Sequence, residues 1–297
     1  RITAAAFGAK DERTQAALRV VALAYSDMGR EAEAAAIFEK LVQHDTAKVG
    51  DKRRDAAFSL ARLANSYNRL NRHTEALGLI RRAMLLRNEV FAAKDRETIH
   101  FIEILAATYM HLDRPKDALP LFAEALKLNT EDTGGRSFVA LRSMNALARC
   151  HEALGGMHEA RALHKRALQL RTQVQGPQHP DTIVSLVNLA RVERQLGNVS
   201  EAQILYEKAV PGIEALRANG DLSPENRQAL FAQWVGDYKA YAALLIAAGK
   251  DVEAFRISEL SKARTLLEST VMRRANQSTA LDAKERSKLE GLERRIA

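Results

Sequence analysis

The chain has 297 residues, of which 46% are hydrophobic and 5% aromatic, with one cysteine and a formal net charge of +8. The lone Cys150 excludes an intrachain disulfide framework, and nowhere do 18 uncharged apolar residues run together as a membrane-spanning helix requires. The charge is uneven, since residues 51–100 carry 11 basic and 6 acidic side chains, but Arg81, Arg82 and Arg87 have only Phe58, Tyr67 and Phe91 near them, so a solvated helix face accounts for them better than a nucleic-acid stripe.

After an N-terminal segment, 1–11, five alanines recur every 42 residues: Ala22, Ala64, Ala106, Ala148 and Ala190. Five more keep the same interval at Ala34, Ala76, Ala118, Ala160 and Ala202. The gap of 12 within each pair fits two helices and a tight turn, with a small side chain wherever the helices touch. Residues 12–217 are therefore predicted to be five helical hairpins. First helices carry an apolar residue, the alanine and then an aromatic, as in Val21, Ala22 and Tyr25 or Leu63, Ala64 and Tyr67, whereas His151 and Glu193 take the aromatic slot later. Second helices bury a stripe four and seven residues past their alanine, such as Phe38 and Leu41 or His164 and Ala167. The turns use Gly29, Asn71, Asp113, Gly155 and Gly197, which tolerate a left-handed backbone. Pro115 suits a first helical turn. Between repeats, Asp181 and Thr182 read as helix caps and His179 as a packed corner residue.

Beyond Ala209 the period breaks. Residues 218–275 read as a divergent sixth repeat with longer helices, with Ser223 capping the next one, and 276–297 as a C-terminal helix whose Leu289, Leu292 and Ile296 form a narrow apolar stripe. That stripe is a candidate for self-association or for contact with a further domain. The fold class is thus all-α, a right-handed superhelical solenoid of helical hairpins.

The run from Gly176 to Ala190, followed by that from Gln195 to Ala209, resembles the 42-residue tetratricopeptide repeat (TPR) of kinesin light chains and many bacterial proteins. The stretch Ala254 to Glu268 resembles the last helix before the caspase-like domain of bacterial CHAT proteins. The second resemblance implies a sensor or adaptor arm, with any peptidase domain beyond Ala297. The first implies groove asparagines that hold a peptide; Asn188 matches that motif, and the equivalent slots hold Val20, Arg62, Ile104 and Ala146.

Chemistry is sparse. Neighbouring Cys150 and His151 leave one helix about 100 degrees apart and cannot act as nucleophile and base. No zinc spacing, phosphate loop or dinucleotide fingerprint occurs, so no metal, cofactor or catalytic residue is assigned. His151 and His164 read as packed histidines. The expected function is the binding of a protein or peptide, with nucleic-acid binding through the basic second repeat as the alternative, no membrane association and a cytoplasmic location; export stays open because the sequence starts at Arg1. Helical spacing places Arg19, Asn65, Arg69, His100, Glu103, Arg142, Asn145, Arg149, Arg191 and Arg194, together with Asn188, along the inner face of the first helices. Basic residues outnumber acidic ones there, so the expected ligand is an acidic peptide or a free carboxylate.

Overall fold

The computed structural model describes residues 8, 11–46, 53–92, 95–131, 134–218 and 234–260, and every regular element among them is an α-helix. Helices pair as the period predicts. The hairpins are α1 (Glu12–Asp27) with α2 (Glu31–Thr46), α3 (Arg53–Arg69) with α4 (His73–Val90), and α5 (Arg96–His111) with α6 (Pro115–Thr130). They continue with α7 (Phe138–Ala153) and α8 (Met157–Gln175), then α9 (Pro180–Gln195) and α10 (Val199–Ala218). Helix α11 (Val235–Ala247) and helical residues 251–260 form a sixth. Ser223, the C-terminal stripe and most of the CHAT-like stretch lie outside the described residues.

The chain divides into two compact units, Arg1–Leu170 and Arg171–Ala297. In the first, each of α1 to α6 packs on its successor and α3 also packs on α5. The reason lies in the alanines. All ten of the 42-spaced alanines are 0% exposed, so the helices approach as closely as a methyl group permits. The second-helix stripe is buried in all five hairpins, from Phe38 and Leu41 through His164 and Ala167 to Tyr206 and Ala209. Val21 departs from the pattern: it is exposed in the first repeat, while Leu63, Leu105, Leu147 and Leu189 in the same slot are buried.

Each turn stops its helix in the same way. Gly29, Asn71, Asp113, Gly155 and Gly197 all have φ between 55 and 79°. The amide that follows each donates back to the carbonyl of the aromatic slot, for example Arg30 N to Tyr25 O at 2.8 Å and Gly156 N to His151 O at 2.8 Å. This six-to-one bond satisfies a carbonyl that the helix end leaves open.

The starts of first helices correct the cap assignment. His179, not Asp181 or Thr182, is the N-cap of α9, its Nδ1 accepting from Asp181 N at 3.2 Å. It occupies the same 42-residue register as Asp11 and Ser137, which cap α1 and α7 through Arg13 N and Ala140 N. Thr182 instead donates to Gly176 O at 2.8 Å, as Thr14 does to Gly8 O and Thr98 to Ala92 O. A buried polar ladder also follows the period: Ser59 donates to Asp45, Asn129 to Ser143 and Arg171 to Ser185, each joining a second helix to the next first helix.

In the second unit α9 packs on α10 and α10 on α11. Gly212 of α10 lies so close to α9 that a Cβ there would meet Ile183 Cδ1 at 2.5 Å. Asp237 of α11 is buried and accepts from Arg191 Nε at 2.7 Å, Arg191 Nη2 at 2.5 Å and Tyr206 Oη at 3.3 Å, tying three helices together.

Candidate functional site: an arginine-lined groove

The first helices of repeats two, three and four bring one stripe of side chains side by side within the first unit. On α3 this stripe is Phe58, Arg62, Asn65 and Arg69; on α5 it is His100, Ile104, Ala107 and His111; on α7 it includes Arg142, Ala146 and Arg149. The spacing of three or four residues keeps each set on one helical face, and the 42-residue register aligns the sets across helices. Two connected cavities result. The larger, about 620 Å³, lies over Phe58, Arg62, Arg96, Glu97 and His100 and extends to Phe138 and Val139. The smaller, about 410 Å³, has a floor of Ile104, Ala107, Met110, Phe122 and Ala146 and a rim of Asn65, Arg69, His111 and Arg149. His100, Glu103 and Arg142 line both. Their sizes suit a few side chains of a ligand.

Five arginines, at 62, 69, 96, 142 and 149, face two glutamates, Glu97 and Glu103, in the walls. Two of these arginines are paired. Arg142 Nη2 donates to Glu103 Oε2 at 2.6 Å, and Ser143 Oγ holds the other oxygen of that carboxylate at 2.7 Å. Arg69 donates to the buried Glu31 at 2.7 Å. Among the described residues Arg62, Arg96 and Arg149 have no hydrogen-bond or ion-pair partner, and the buried Nε of Arg62 is orphaned. Burial works against the Arg62 charge and pulls its pKa down, Asp27 and Glu97 opposing from a distance. His100 is held neutral: burial first, then Arg62, Arg142 and Arg96, lower its pKa to about 3, and its buried Nε2 has no partner. His111 is also lowered, by burial, by the stacked His73 ring at 4.6 Å and by Arg149.

Of the residues expected from the sequence, Asn65, Arg69, His100, Glu103, Arg142 and Arg149 meet at these cavities. Asn145 is half-buried on α7 and lines neither. Arg19 is committed to Asp45 at 2.9 Å and Asp55 at 3.0 Å. Asn188, Arg191 and Arg194 belong to the second unit, where Arg191 is taken up by Asp237. Arg62, read from the sequence as a lost asparagine, is a half-buried charge in the larger cavity with no ion-pair partner among the described residues; its place four residues after Phe58 on a polar stripe was the available signal. The two residues stack, the guanidinium lying 4.9 Å from the ring centroid.

The basic second repeat is largely engaged internally. Arg53 pairs with Glu89, Arg72 with Glu75 while lying over Tyr67, Arg54 lies over Phe91 and Arg81 donates to Tyr109. Phosphates would have to displace these contacts. Cys150 is buried and its thiol donates to Pro115 O at 3.2 Å; His164 Nε2 lies 2.8 Å from Glu152 Oε1. Among the described residues no group of three or more His, Cys, Asp or Glu side chains is placed to hold a metal ion. Among them also, no helix is long and apolar enough to cross a membrane.

Tetratricopeptide repeat models match residues 59–96, 95–173 and 140–215, more than half of the chain. The chain belongs to the tetratricopeptide repeat family. No curated protein matches this TPR chain in sequence. Solved structures match it in fold. One is of a Podosopora anserina protein described as a kinesin light chain with nearly identical TPR-like repeats, at 20% identity and TM-score 0.59, covering 68% of this chain and 96% of that one. BtubC (BKLC) from P. vanneervenii matches at 19% identity and TM-score 0.60, over 82% and 90% of the two chains. A Rap protein complexed with Competence and Sporulation Factor matches at 13% identity and TM-score 0.57, over 84% and 75%. At these identities the likeness is one of fold. The TPR fold is typical of protein–protein interaction scaffolds.

Proposed function

We propose that this TPR chain is a non-catalytic scaffold that holds an acidic segment or a free carboxylate of a partner protein in the groove between α3, α5 and α7. The carrying observation is the imbalance of charge: five arginines against two glutamates, with Arg62, Arg96 and Arg149 left without partners among the described residues. The half-buried Arg62 guanidinium is costly without a counter-ion, and a carboxylate entering the groove removes that cost through charge-assisted, bidentate hydrogen bonds, with the exposed Arg96 and Arg149 free to add to them. The apolar floor of the smaller cavity would receive a neighbouring side chain of the same partner. The Rap structure, itself a complex, is consistent with a binding role for such an array. The resemblance of residues 254–268 to CHAT proteins extends the proposal, making the array the recognition arm of a larger protein.

The test is an array of short peptides probed with the wild-type chain and with Arg142→Glu/Arg149→Glu, helicity being checked by circular dichroism. Acidic peptides retained by the wild type and lost by the folded double variant support the groove. Equal retention by both removes it.

A further inference from the structure

His100 is an unusual occupant of a groove meant for anions. It sits at the junction of the two cavities, neutral, with a buried ring nitrogen that donates to nothing and accepts from nothing. The charges that face it come from every side of the larger cavity. Helix α3 supplies Arg62, α7 supplies Arg142, and its own helix α5 supplies Arg96, Glu97 and Glu103. The end of α6 contributes the uncharged Leu128 and Asn129. Glu103 is already committed to Arg142 and Ser143, so the local field stays positive and opposes a further cation.

We propose that the larger cavity is a proton-coupled anion subsite, in which loading of an anionic oxygen group between Arg62, Arg96 and Arg142 is accompanied by uptake of one proton from solvent on His100. This rests on the anionic-ligand reading of the groove and adds its regulation. The physical sequence is simple. Burial first, and then the arginines, keep the imidazole uncharged; the incoming anion neutralises those arginines and gives the orphaned ring nitrogen an acceptor for its proton, which offsets the hydration lost on burial. The imidazolium so formed donates to the anion, so affinity and protonation support one another. The empty site has its histidine pKa lowered to about 3, which leaves room for a large upward move on loading. Should loading restore an ordinary histidine pKa of about 6.5, affinity for an anion of fixed charge would rise about tenfold between pH 7.5 and pH 5.5, with about three-quarters of a proton taken up per ligand at pH 6.

The probe is a short peptide carrying two cysteic acid residues, whose sulfonates stay ionised throughout that range. Titration calorimetry at pH 6 in two buffers of different ionisation enthalpy reads the proton uptake directly, and Kd at pH 5.5 and 7.5 reads its consequence. Wild type is expected to take up a proton and tighten about tenfold, whereas His100→Gln binds with no uptake and a flat pH profile. Should His100→Gln not fold, the His100 ring Cε1–H shift of the wild type, followed against pH with and without peptide, replaces it; an apparent pKa that rises on loading is the expected result. Binding by wild type without proton uptake, or an unmoved His100 titration, overturns the coupling and leaves the groove in place. Failure of the folded wild type to bind the peptide, or unchanged binding by Arg62→Met, overturns the subsite itself.

Discussion

Replacing Arg62 by methionine should make the protein more stable and less able to bind. The side chain is half-buried on α3, its Nε has no partner and burial already works against its charge. An unsatisfied buried donor costs about 1–3 kcal/mol. What Arg62 gains in return is its stacking on Phe58, with the guanidinium 4.9 Å from the ring centroid. Such a contact is worth about 0.5–1 kcal/mol where partly exposed, and a methionine sulfur over the same ring recovers a similar amount. The stem packing is retained because Cγ, Sδ and Cε of methionine follow the path of the arginine Cγ, Cδ and Nε, with only the guanidinium carbon and its terminal nitrogens lost. The balance favours Arg62→Met by about 1–2 kcal/mol, which in urea denaturation followed by circular dichroism moves the midpoint up by about 0.5 M. Affinity for acidic peptides should fall in the same variant. Such a trade, in which a site residue is held at a cost to the fold, is a common signature of binding surfaces. A loss of stability exceeding about 1 kcal/mol would refute the reasoning, because Arg62 would then be holding the fold rather than waiting for a ligand.

The remaining predictions concern packing and burial. Gly212→Ala should destabilise the second unit although alanine is the better helix former, since the added Cβ would sit 2.5 Å from Ile183 Cδ1 and 2.8 Å from Cγ1. In an Ile183→Ala background the same change should instead stabilise by up to about 1 kcal/mol, and an unchanged sign in the double-mutant cycle would show that the contact is not the cause. Cys150 is fully buried and burial pushes its thiol pKa up, so it should react with a thiol reagent at pH 8 only as fast as its repeat opens; reaction as fast as in urea-unfolded protein contradicts the burial. The sign of the associated pH effect follows: above the ordinary thiol pKa the unfolded chain releases a proton that the folded chain keeps, so stability should fall as pH rises there, and a Cys150→Ser variant should lose that component.

Much of the fold is legible in the sequence because each repeat solves the same local problem. The alanines at helix contacts, the second-helix stripe and the left-handed turn residues depend on neighbours within a few residues and recur every 42, and all three appear in the structure as expected. The caps were equally local and were nonetheless misassigned, since Asp181 and Thr182 are better-known capping types than His179; the register with Asp11 and Ser137 carried the correct answer.

The groove was legible only as a face. Helical periodicity assigns a residue to a side of its helix, and it placed Arg69, His100, Arg142 and Arg149 together. It does not say what stands opposite. Helical spacing assigns Arg19 and Arg191 to the same inner face as the groove arginines, yet Asp45 and Asp237, 26 and 46 residues away in the chain, come within 3 Å and neutralise them. Arg62 meets no such partner and remains charged in a cavity. The sequence by itself determined the helices, their turns and the small contacts between them, because those follow from short-range sterics and backbone hydrogen bonding. The tertiary structure alone decided which arginines are spent on the fold and which stay without a counter-ion among the described residues, because Coulomb pairing depends on distances across helices that a periodic pattern does not encode.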